Sequence, residues 1–376
     1  MQQNDALLKA LRTDLAELTA LHAPSGAEQP VIARLRSLFA PLVDSVAIDH
    51  MGNLTATREG PAGAPHVVVA AHADEIGAIV ASIEPDGFLR LAPLGGVQPR
   101  LLEGRAVWVG GHPGVIGARS GHLTPRSEHG QGTSLEDLYV DLGVDSLSEV
   151  IALGVRVGDP VVVISELRQL AGTRVAGKAI DNRASCVVLL HLLRRLREHS
   201  LPCRLTALIA VQEEVGLRGA TVAFTRLHPD LAIVLDTFPA AGTPDTHHLA
   251  YTAYIGKGAL ITPSSDSGAR GFLLPRAARD TMIAAAQRAQ VPFQLAVARG
   301  GVTDAAAAHL VAGGIATLEI KIPRRYSHSP VEVLDLRDLA AVLLLTEELV
   351  LHPPTQEQLS FLHHSHNSTN TTQQPI

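Results

Sequence analysis

Two adjacent carboxylates, Glu213 and Glu214, directly follow an apolar run over residues 205–211. Such a run predicts a buried strand, and charge at its end needs compensation because burying an unpaired carboxylate is costly. A bound metal ion is the usual compensation. The two side chains point in different directions in an extended segment, so one can bind metal while the other stays free as a general base.

Three more residues with metal-binding side chains occupy the same place relative to an apolar run. In open α/β sheets, ligands bind outside the carboxyl ends of the strands, so side chains that follow several strands can converge on one site. The pattern therefore predicts a metal site at one edge of a sheet. The three candidates are His72 after residues 67–71, Asp236 after residues 231–235, and His328 beyond residues 315–320.

Two aspartates can complete this site. In His72-Ala-Asp74 the two polar side chains lie on the same side of an extended segment. His72 is therefore suited to bind the metal, and Asp74 is suited to contact the second imidazole nitrogen of His72 and so orient the ring. Asp181 lies where a helix opens, so it is either a helix N-cap or a carboxylate that bridges two metals. The sequence leaves both interpretations of Asp181 open.

The joint pattern of two histidines, three carboxylates and a spare glutamate suits a pair of divalent ions, Zn²⁺ or Co²⁺. Two such ions activate water and stabilise the oxyanion of a hydrolysed amide, so the pattern favours a two-metal hydrolase. The chain contains neither Gly-x-Ser-x-Gly nor His-Glu-x-x-His. This argues against serine hydrolases and single-zinc proteases.

The elements that must position these residues are predicted by the spacing of apolar side chains. Ser25-Gly-Ala-Glu28 is typical of a capping box that opens a second helix. Between residues 74 and 165 helical periodicity disappears, and short β-rich pieces predict a small barrel or sandwich inserted into an α/β domain. The other predicted helices cover residues 5–22, 146–153, 183–198, 219–227, 276–290, 304–311 and 334–351.

Composition limits the classes of partner and compartment. Hydrophobic residues make up 46% of the chain, and the net charge of −6 predicts neither a nucleic-acid nor a membrane partner. Cys186 and Cys203 lie in apolar surroundings and are expected to be buried thiols in a reducing compartment. The N-terminus lacks a signal-peptide pattern, so we expect a cytoplasmic protein. The polar tail, residues 353–376, is expected to be disordered.

The chain contains five characteristic segments, at residues 72–77, 179–183, 211–219, 300–305 and 322–330. Together they resemble the M42 family of metallo-aminopeptidases, the glutamyl/leucyl-type, TET-like enzymes. The resemblance implies a mixed β-sheet flanked by helices, as in dizinc aminopeptidases, with an inserted PDZ-like β-barrel. The implied division is a catalytic domain over residues 1–73 and 166–352 and a dimerisation domain over residues 74–165.

The resemblance also implies an activity and a role for each candidate residue. The activity is the removal of N-terminal residues from peptides with a free N-terminus, and the assembly is a homo-oligomer of dimers that form a dodecamer. Two divalent ions would be bound in each subunit. The implied roles are one metal on His72 and Asp236, the other on Glu214 and His328, Asp181 as the bridge, Glu213 as general base, and Asp74 as the orienting residue.

Two positions depart from the usual family pattern, since Ala73 replaces a methionine and Val302 replaces a glycine. Neither change removes a ligand, so specificity rather than chemistry is in question. The alternative function is a carboxypeptidase or an N-acyl amino acid deacylase on the same site. Such enzymes bind a substrate carboxylate through an arginine, and Arg183, Arg218 and Arg324 lie near the motifs. A non-catalytic binding protein is disfavoured because every ligand and the base are present.

Overall fold

The computed structural model describes residues 2–117, 122, 134–246, 252–267 and 270–362. Part of the tail that was expected to be disordered, residues 363–376, lies outside the described residues, whereas residues 353–362 run through turns after the last helix. Within the described ranges, no helix is both long and apolar enough to cross a membrane.

Eight α-helices occur in the described residues. Every predicted helix is present, although the ends differ by a few residues because caps and turns decide where a helix stops. The helices are α1 (Gln2–Ala20), α2 (Gln29–Phe39), α3 (Leu147–Ala152), α4 (Ile180–Leu196), α5 (Arg218–Leu227), α6 (Arg276–Arg288), α7 (Asp304–Ala308) and α8 (Leu336–Leu351).

The strands alternate with these helices in the catalytic part of the chain and follow one another in the inserted part. They are β1 (Ser45–Ile48), β2 (Leu54–Arg58), β3 (His66–His72), β4 (Gly77–Ile83), β5 (Leu89–Leu94), β6 (Ala106–Val109), β7 (His112–Ile116), β8 (Tyr139–Asp141), β9 (Pro160–Val163), β10 (Arg168–Gln169), β11 (Arg174–Gly177), β12 (Arg204–Ala210), β13 (Leu231–Pro239), β14 (Ala259–Ile261), β15 (Ser264–Ser267), β16 (Arg270–Leu273), β17 (Phe293–Leu295), β18 (Ala298–Arg299), β19 (Ala316–Arg324) and β20 (Glu332–Asp335).

The central sheet has eight strands in the order β1-β2-β12-β3-β13-β19-β14-β17. The four middle strands β12, β3, β13 and β19 are parallel, whereas β2 and β14 run antiparallel to their neighbours within that group. The sheet is therefore mixed, as expected. Its middle strands are almost wholly buried, which explains why their sequences are continuous apolar runs rather than alternating ones. Their carboxyl ends lie at one edge of the sheet.

Helices flank this sheet in packed groups. Helix α4 packs against β3 and β13 and also contacts α1 and α8, while α5 and α7 contact each other. The side chains of these elements form one large aliphatic core, which includes both Cys186 and Cys203 as buried free thiols. The architecture agrees with the predicted α/β fold.

The inserted region forms a closed six-stranded barrel in the order β4-β5-β8-β7-β6-β9. It has its own aliphatic core, separate from that of the sheet, with buried residues such as Leu89, Val107 and Val140. The structure thus selects a barrel over a sandwich. Its role in dimerisation and its boundaries at residues 74 and 165 stay predictions.

Two local interpretations of the sequence are wrong. Ser25 and Glu28 do not form a capping box, because no side chain caps the start of α2 at Glu28. Ser25 donates instead to Asp74, and Glu28 accepts from backbone amides. Asp181 is not an N-cap, because its Oδ2 accepts from Arg324 and neither of its side-chain oxygens accepts a backbone amide among the described residues. Its own backbone angles are non-helical, at a kink near the start of α4. Local patterns cannot anticipate partners that lie far away in the chain.

Candidate metal centre

The candidate residues of the two central parallel strands meet at the carboxyl edge of the sheet. His72 ends β3 and Asp236 lies within β13, further from the strand end than the sequence indicated. His72 Nε2 is 3.3 Å from Asp181 Oδ1 and 3.8 Å from Asp236 Oδ1. All three side chains are buried. We call His72, Asp181 and Asp236 the inner half of the site.

A second group of side chains shares Asp181 with the inner half. His328 Nε2 is 3.5 Å from Asp181 Oδ2 and 3.5 Å from Glu214 Oε2. We call Asp181, Glu214 and His328 the outer half, because the His328 side chain is 29% exposed whereas that of His72 is 2% exposed. In each half, ligand atoms from all three residues lie within 4.8 Å of one another. Asp181 therefore occupies the position that a bridging carboxylate requires.

Asp181 is held by residues to which the sequence gave no supporting role. The guanidinium of Arg324 donates to Asp181 Oδ2, and Arg324 Nε donates to Thr237 Oγ1 at 2.7 Å. Glu332 accepts the backbone amide of Asp181 at 3.0 Å and that of His328 at 3.0 Å. Arg324 and Glu332 are themselves buried as a pair, 3.4 Å apart. This pair fixes Asp181 and the outer histidine to the same support.

Asp74 lies directly beneath the site, but its main contacts differ from the predicted one. Its carboxylate is 3.4 Å from His72 Nδ1, which is longer than an ordinary hydrogen bond. The same carboxylate accepts the amides of Glu213 at 3.0 Å and Glu214 at 3.1 Å, and the hydroxyl of Ser25 at 2.6 Å. Asp74 thus holds the backbone of the two glutamates at least as firmly as it orients the imidazole.

Glu213 lies close to the inner histidine. Its Oε2 is 3.9 Å from His72 Nε2, and the side chain is buried. Burial and the nearby carboxylate of Asp236 raise the pKa of Glu213 well above its usual range, against the opposing effect of His72. A raised pKa makes a carboxyl group a stronger base than an ordinary glutamate.

The other carboxyl groups show that negative charge is crowded here. Burial raises the pKa of Glu214 to about 8 and that of Asp236 to about 7, and the charge of Asp181 adds to both. Burial lowers the pKa of His72, but surrounding carboxylates such as Glu213 outweigh it and hold that pKa well above its usual value. A cation bound among these side chains would offset the repulsion.

The residues fit a divalent ion by two further observations. Asp181 Oδ1 is buried and has no hydrogen-bond partner among the described residues, so an acceptor atom points into the site without a donor. The atoms that could bind metal in both halves are imidazole nitrogens and carboxylate oxygens, which suit Zn²⁺ and Co²⁺. The site can therefore hold metal on either side of Asp181.

Three buried charged residues near the site were given no role by sequence reasoning. Neither oxygen of Asp304 has a hydrogen-bond partner among the described residues, and burial raises its pKa to about 8. Asp304 lies in the segment over residues 300–305 that carries the family resemblance, but the sequence pattern assigned it no role. Lys321 lies beside Asp236 in the sheet register, and its Nζ is 3.3 Å from Glu319 Oε1. A lysine and a glutamate inside an apolar strand were the signal that could have revealed this pair.

The fold and the site define a peptide hydrolase of the aminopeptidase class. The family of M42 glutamyl aminopeptidases matches residues 52–345, and the chain belongs to that family. The glutamyl aminopeptidase of Lactococcus lactis is 34% identical over 334 residues, which cover 85% of this chain and 90% of the relative.

Solved structures of the same class are also similar. An aminopeptidase from the archaeon Desulfurococcus kamchatkensis is 35% identical with a TM-score of 0.88, covering 96% of this chain and 99% of that chain. The TET1 peptidase of Pyrococcus horikoshii, which can assemble into a tetrahedron or a large octahedral shell, is 30% identical with a TM-score of 0.81. That match covers 91% of this chain and 99% of the TET1 chain.

Proposed function

We propose that this protein is a metal-dependent aminopeptidase that removes N-terminal residues from peptides with two divalent ions, Zn²⁺ or Co²⁺. The observation that carries the proposal is the pair of histidine–carboxylate groups that share Asp181. His72 and Asp236 would hold one ion, Glu214 and His328 the other, and Asp181 both. When bound, two such ions supply an activated water and stabilise the oxyanion that forms at the peptide carbonyl.

Glu213 is the general base in this proposal. It takes a proton from the attacking water and returns it to the amine that leaves, which is the role for which its raised pKa suits it. Glu214 Oε2 lies 3.5 Å from His328 Nε2, whereas Glu213 Oε2 lies 3.9 Å from His72 Nε2. Both glutamates also have an oxygen within 4.8 Å of a ring nitrogen of His72, so the proposed division of roles rests on the closer contact of Glu214 with His328. Asp74 acts by holding the segment that carries both.

The arginines near the site argue against a substrate that is bound through its carboxylate, and this favours the aminopeptidase over the alternative function. Arg183 is fully buried, and its guanidinium donates to the carbonyl oxygens of Ala73 at 2.7 Å, Leu18 at 2.8 Å and Ala23 at 3.2 Å. Arg324 is engaged by Asp181 and is also buried. Two of the three arginines that were candidates to bind a substrate carboxylate in a carboxypeptidase or deacylase therefore already have partners within the fold.

The test is hydrolysis of a panel of aminoacyl-p-nitroanilides by protein stripped of metal and then reloaded with Zn²⁺ or Co²⁺. We expect metal to restore cleavage of free-amine substrates, with no cleavage of the N-acetylated counterparts. Glu213→Gln is the matched variant, since it keeps the shape of the side chain and removes the base. Absence of cleavage of every free-amine substrate, despite bound metal, would contradict the proposal. Release of free amino acids from N-acetylated amino acids, or from the C-terminus of peptides, would then establish the deacylase or carboxypeptidase alternative.

We also propose that the barrel, as a domain over residues 74–165, forms dimers and that dimers assemble into a dodecamer. The support is the likeness to TET1, whose subunits assemble into closed shells. Light scattering coupled to size-exclusion chromatography would give the mass directly. A monomer at micromolar concentration, with metal bound, would contradict this assembly.

A further inference from the structure

Four consecutive backbone amides, those of residues 211–214, bond to side chains from three other parts of the chain. We infer from this arrangement that Glu28 and Ser25 are positioning residues, which fix Glu213 and Glu214 for their separate tasks. The inference rests on the proposed function of those two glutamates. The four bonds run from Val211 to Asn53 Oδ1 (3.1 Å), from Gln212 to Glu28 Oε1 (3.0 Å), from Glu213 to Asp74 Oδ1 (3.0 Å) and from Glu214 to Asp74 Oδ2 (3.1 Å).

These amides need side-chain acceptors because the chain leaves the sheet at this point. Strand β12 ends at Ala210, so the following residues have no ladder partner. Gln212 then takes a left-handed backbone conformation with φ of +56°, which is unfavourable for a residue with a side chain. A buried amide without an acceptor is rare in folded proteins. The bond from Gln212 to Glu28 therefore supports the least favourable residue of the segment.

Glu28 reaches the site only through this backbone. Its side chain is buried, and Oε1 accepts the amide of Gly26 at 2.9 Å as well as that of Gln212. Among the hydrogen bonds and ion pairs of the described residues, none joins Glu28 to the side chain of a candidate metal ligand. A charged acceptor makes a shorter and stronger bond to an amide than a neutral one does. Glu28 thus holds the peptide immediately before the proposed base.

Ser25 acts one step further back. Its hydroxyl donates to Asp74 Oδ2 at 2.6 Å, and the same oxygen accepts the amide of Glu214. Without the hydroxyl, the Asp74 carboxylate could rotate away from the two amides that it holds. Ser25 and Glu28 belong to one short segment, so that segment controls both ends of the glutamate pair.

The consequence is functional because the two glutamates are adjacent but must point to different places. Their separation depends on the backbone angles of the peptide units around them. A shift of about 1 Å in a reacting group can cost roughly 100-fold in rate even when the mutated residue is remote from the chemistry. Loss of the acceptor at Glu28 should therefore lower turnover without changing how tightly the substrate binds.

The experiment compares Glu28→Ala, Glu28→Gln and Ser25→Ala in the full-length, metal-loaded protein. Glu28→Ala should lower kcat about 10- to 100-fold with KM nearly unchanged, and should weaken Zn²⁺ binding in competition with a chromophoric chelator, as expected for residues that support a ligand. Glu28→Gln keeps a carbonyl acceptor and should recover most of both losses. Ser25→Ala should lower kcat about 10-fold.

Two surface variants provide the controls. Glu59→Ala removes an exposed glutamate that pairs with Arg204 at 3.3 Å, and Ser37→Ala removes an exposed hydroxyl. Both should keep the kcat and the Zn²⁺ affinity of the unchanged protein. A merely structural role for Glu28 predicts a lower melting temperature with normal kcat per folded molecule, and that result would overturn the inference.

Two further outcomes keep the test decisive. If Glu28→Ala does not fold, Ser25→Ala provides the test, since this substitution deletes only the hydroxyl oxygen. Normal kcat with normal Zn²⁺ affinity in Ser25→Ala would then refute the positioning role.

If Glu213→Gln retains full turnover with metal bound, the proposed function of Glu213 fails instead. The Zn²⁺ affinity of Glu28→Ala still tests the positioning of Glu214 in that case, and an unchanged affinity would overturn it.

Discussion

The inner and outer halves of the site have similar donor atoms but different supports. His72 and Asp236 of the inner half lie on neighbouring parallel strands of the central sheet and are buried in its edge. Glu214 and His328 of the outer half lie on segments outside the strands, and the His328 side chain is 29% exposed. The inner half is therefore fixed by sheet register, whereas the outer half is held by side chains and loops from several parts of the chain, such as Glu332 and Asp74.

One segment that packs against the outer half of the site follows strand β5 of the barrel. The carbonyl oxygen of Gly96 is 3.3 Å from His328 Nδ1. A Cβ on Gly96 would lie 2.6 Å from the same nitrogen, and a Cβ on Gly95 would lie 3.2 Å from the Cβ of Glu214. Only glycine leaves room for both ligands. The segment after β5 therefore shapes the outer half of the site.

Asp181 belongs to both halves, so its loss should have the largest effect. We expect Asp181→Asn to reduce turnover by more than the roughly 100-fold that is typical for residues that only support a ligand. Metal analysis should show that both ions are weakened, because the bridging charge is gone. Asp236→Asn is the matched variant and should weaken the inner ion alone. Equal metal content in Asp181→Asn and the unchanged protein would contradict the bridging role.

Gly96→Ala should affect the outer half only. The added Cβ must displace the His328 ring, so we expect a loss of affinity of roughly 10- to 100-fold for one of the two ions and a turnover that recovers at high metal concentration. Isothermal titration with Zn²⁺ would resolve the two sites. Gly104→Ala is the control, since it adds backbone strain at a φ of +71° but its Cβ meets no atom within 4 Å. Weakening of both ions by Gly96→Ala would erase the distinction between the halves.

Metal removal should also proceed in two stages. The outer histidine is partly exposed and the inner one is buried, so a chelator should remove the outer ion first and the inner ion more slowly. Metal content followed by atomic emission during dialysis would show two phases. His328→Ala should abolish the fast phase and leave the slow one. A single phase in the unchanged protein would mean that exposure does not separate the halves.

The smallest expected effect concerns the pH dependence of the metal-free protein. Burial raises the pKa of Asp236 to about 7 in the inner half and that of Glu214 to about 8 in the outer half. A carboxyl group with a raised pKa binds its proton more tightly in the folded state than in the unfolded one. The free energy of unfolding therefore falls as the pH rises from about 4, the pKa of the group in the unfolded chain, through the pKa in the folded state. Burial lowers the pKa of His328, but Asp181 and Glu214 raise it to about 9. This histidine therefore adds to the same trend above about pH 6.5.

The metal-free protein should accordingly melt at a lower temperature at about pH 9 than at about pH 6. Zn²⁺ should flatten this dependence, because the bound ion replaces the protons that relieve the repulsion. Calorimetry across that range, with and without metal, is the measurement. A metal-free protein whose melting temperature rises with pH would show that these carboxyl groups do not titrate as their surroundings indicate.

Much of the fold and the convergence of the candidate residues could be predicted from the sequence. A carboxylate directly after an apolar run is a local signal, and parallel strands bring such signals to one edge. This is why His72, Glu214 and Asp236 meet, even though Asp236 lies inside β13 rather than after it. The loss of helical periodicity over residues 74–165 likewise predicted the β-rich insertion, which the structure shows as a closed barrel.

The supporting residues could not be predicted, because their partners are far away in sequence. Ser25 and Glu28 match a local capping pattern, yet they bond to Asp74 and Gln212. Gly96 contacts His328 through its backbone carbonyl oxygen. Every residue has such an oxygen, so the amino-acid sequence gives no indication of this contact. A single sequence records which side chains are present and says little about the long-range contacts that employ them.

The four amide bonds that hold residues 211–214 have a consequence for the order of folding. They join positions 139 to 184 residues apart in the chain. Contacts at such separations form only after the intervening chain has collapsed, since closing long loops early is entropically costly. A partly folded chain already carries every ligand, but it lacks the geometry that makes them a site. Tight uptake of the ions would therefore be a late event, and it would report that a newly made subunit has finished folding.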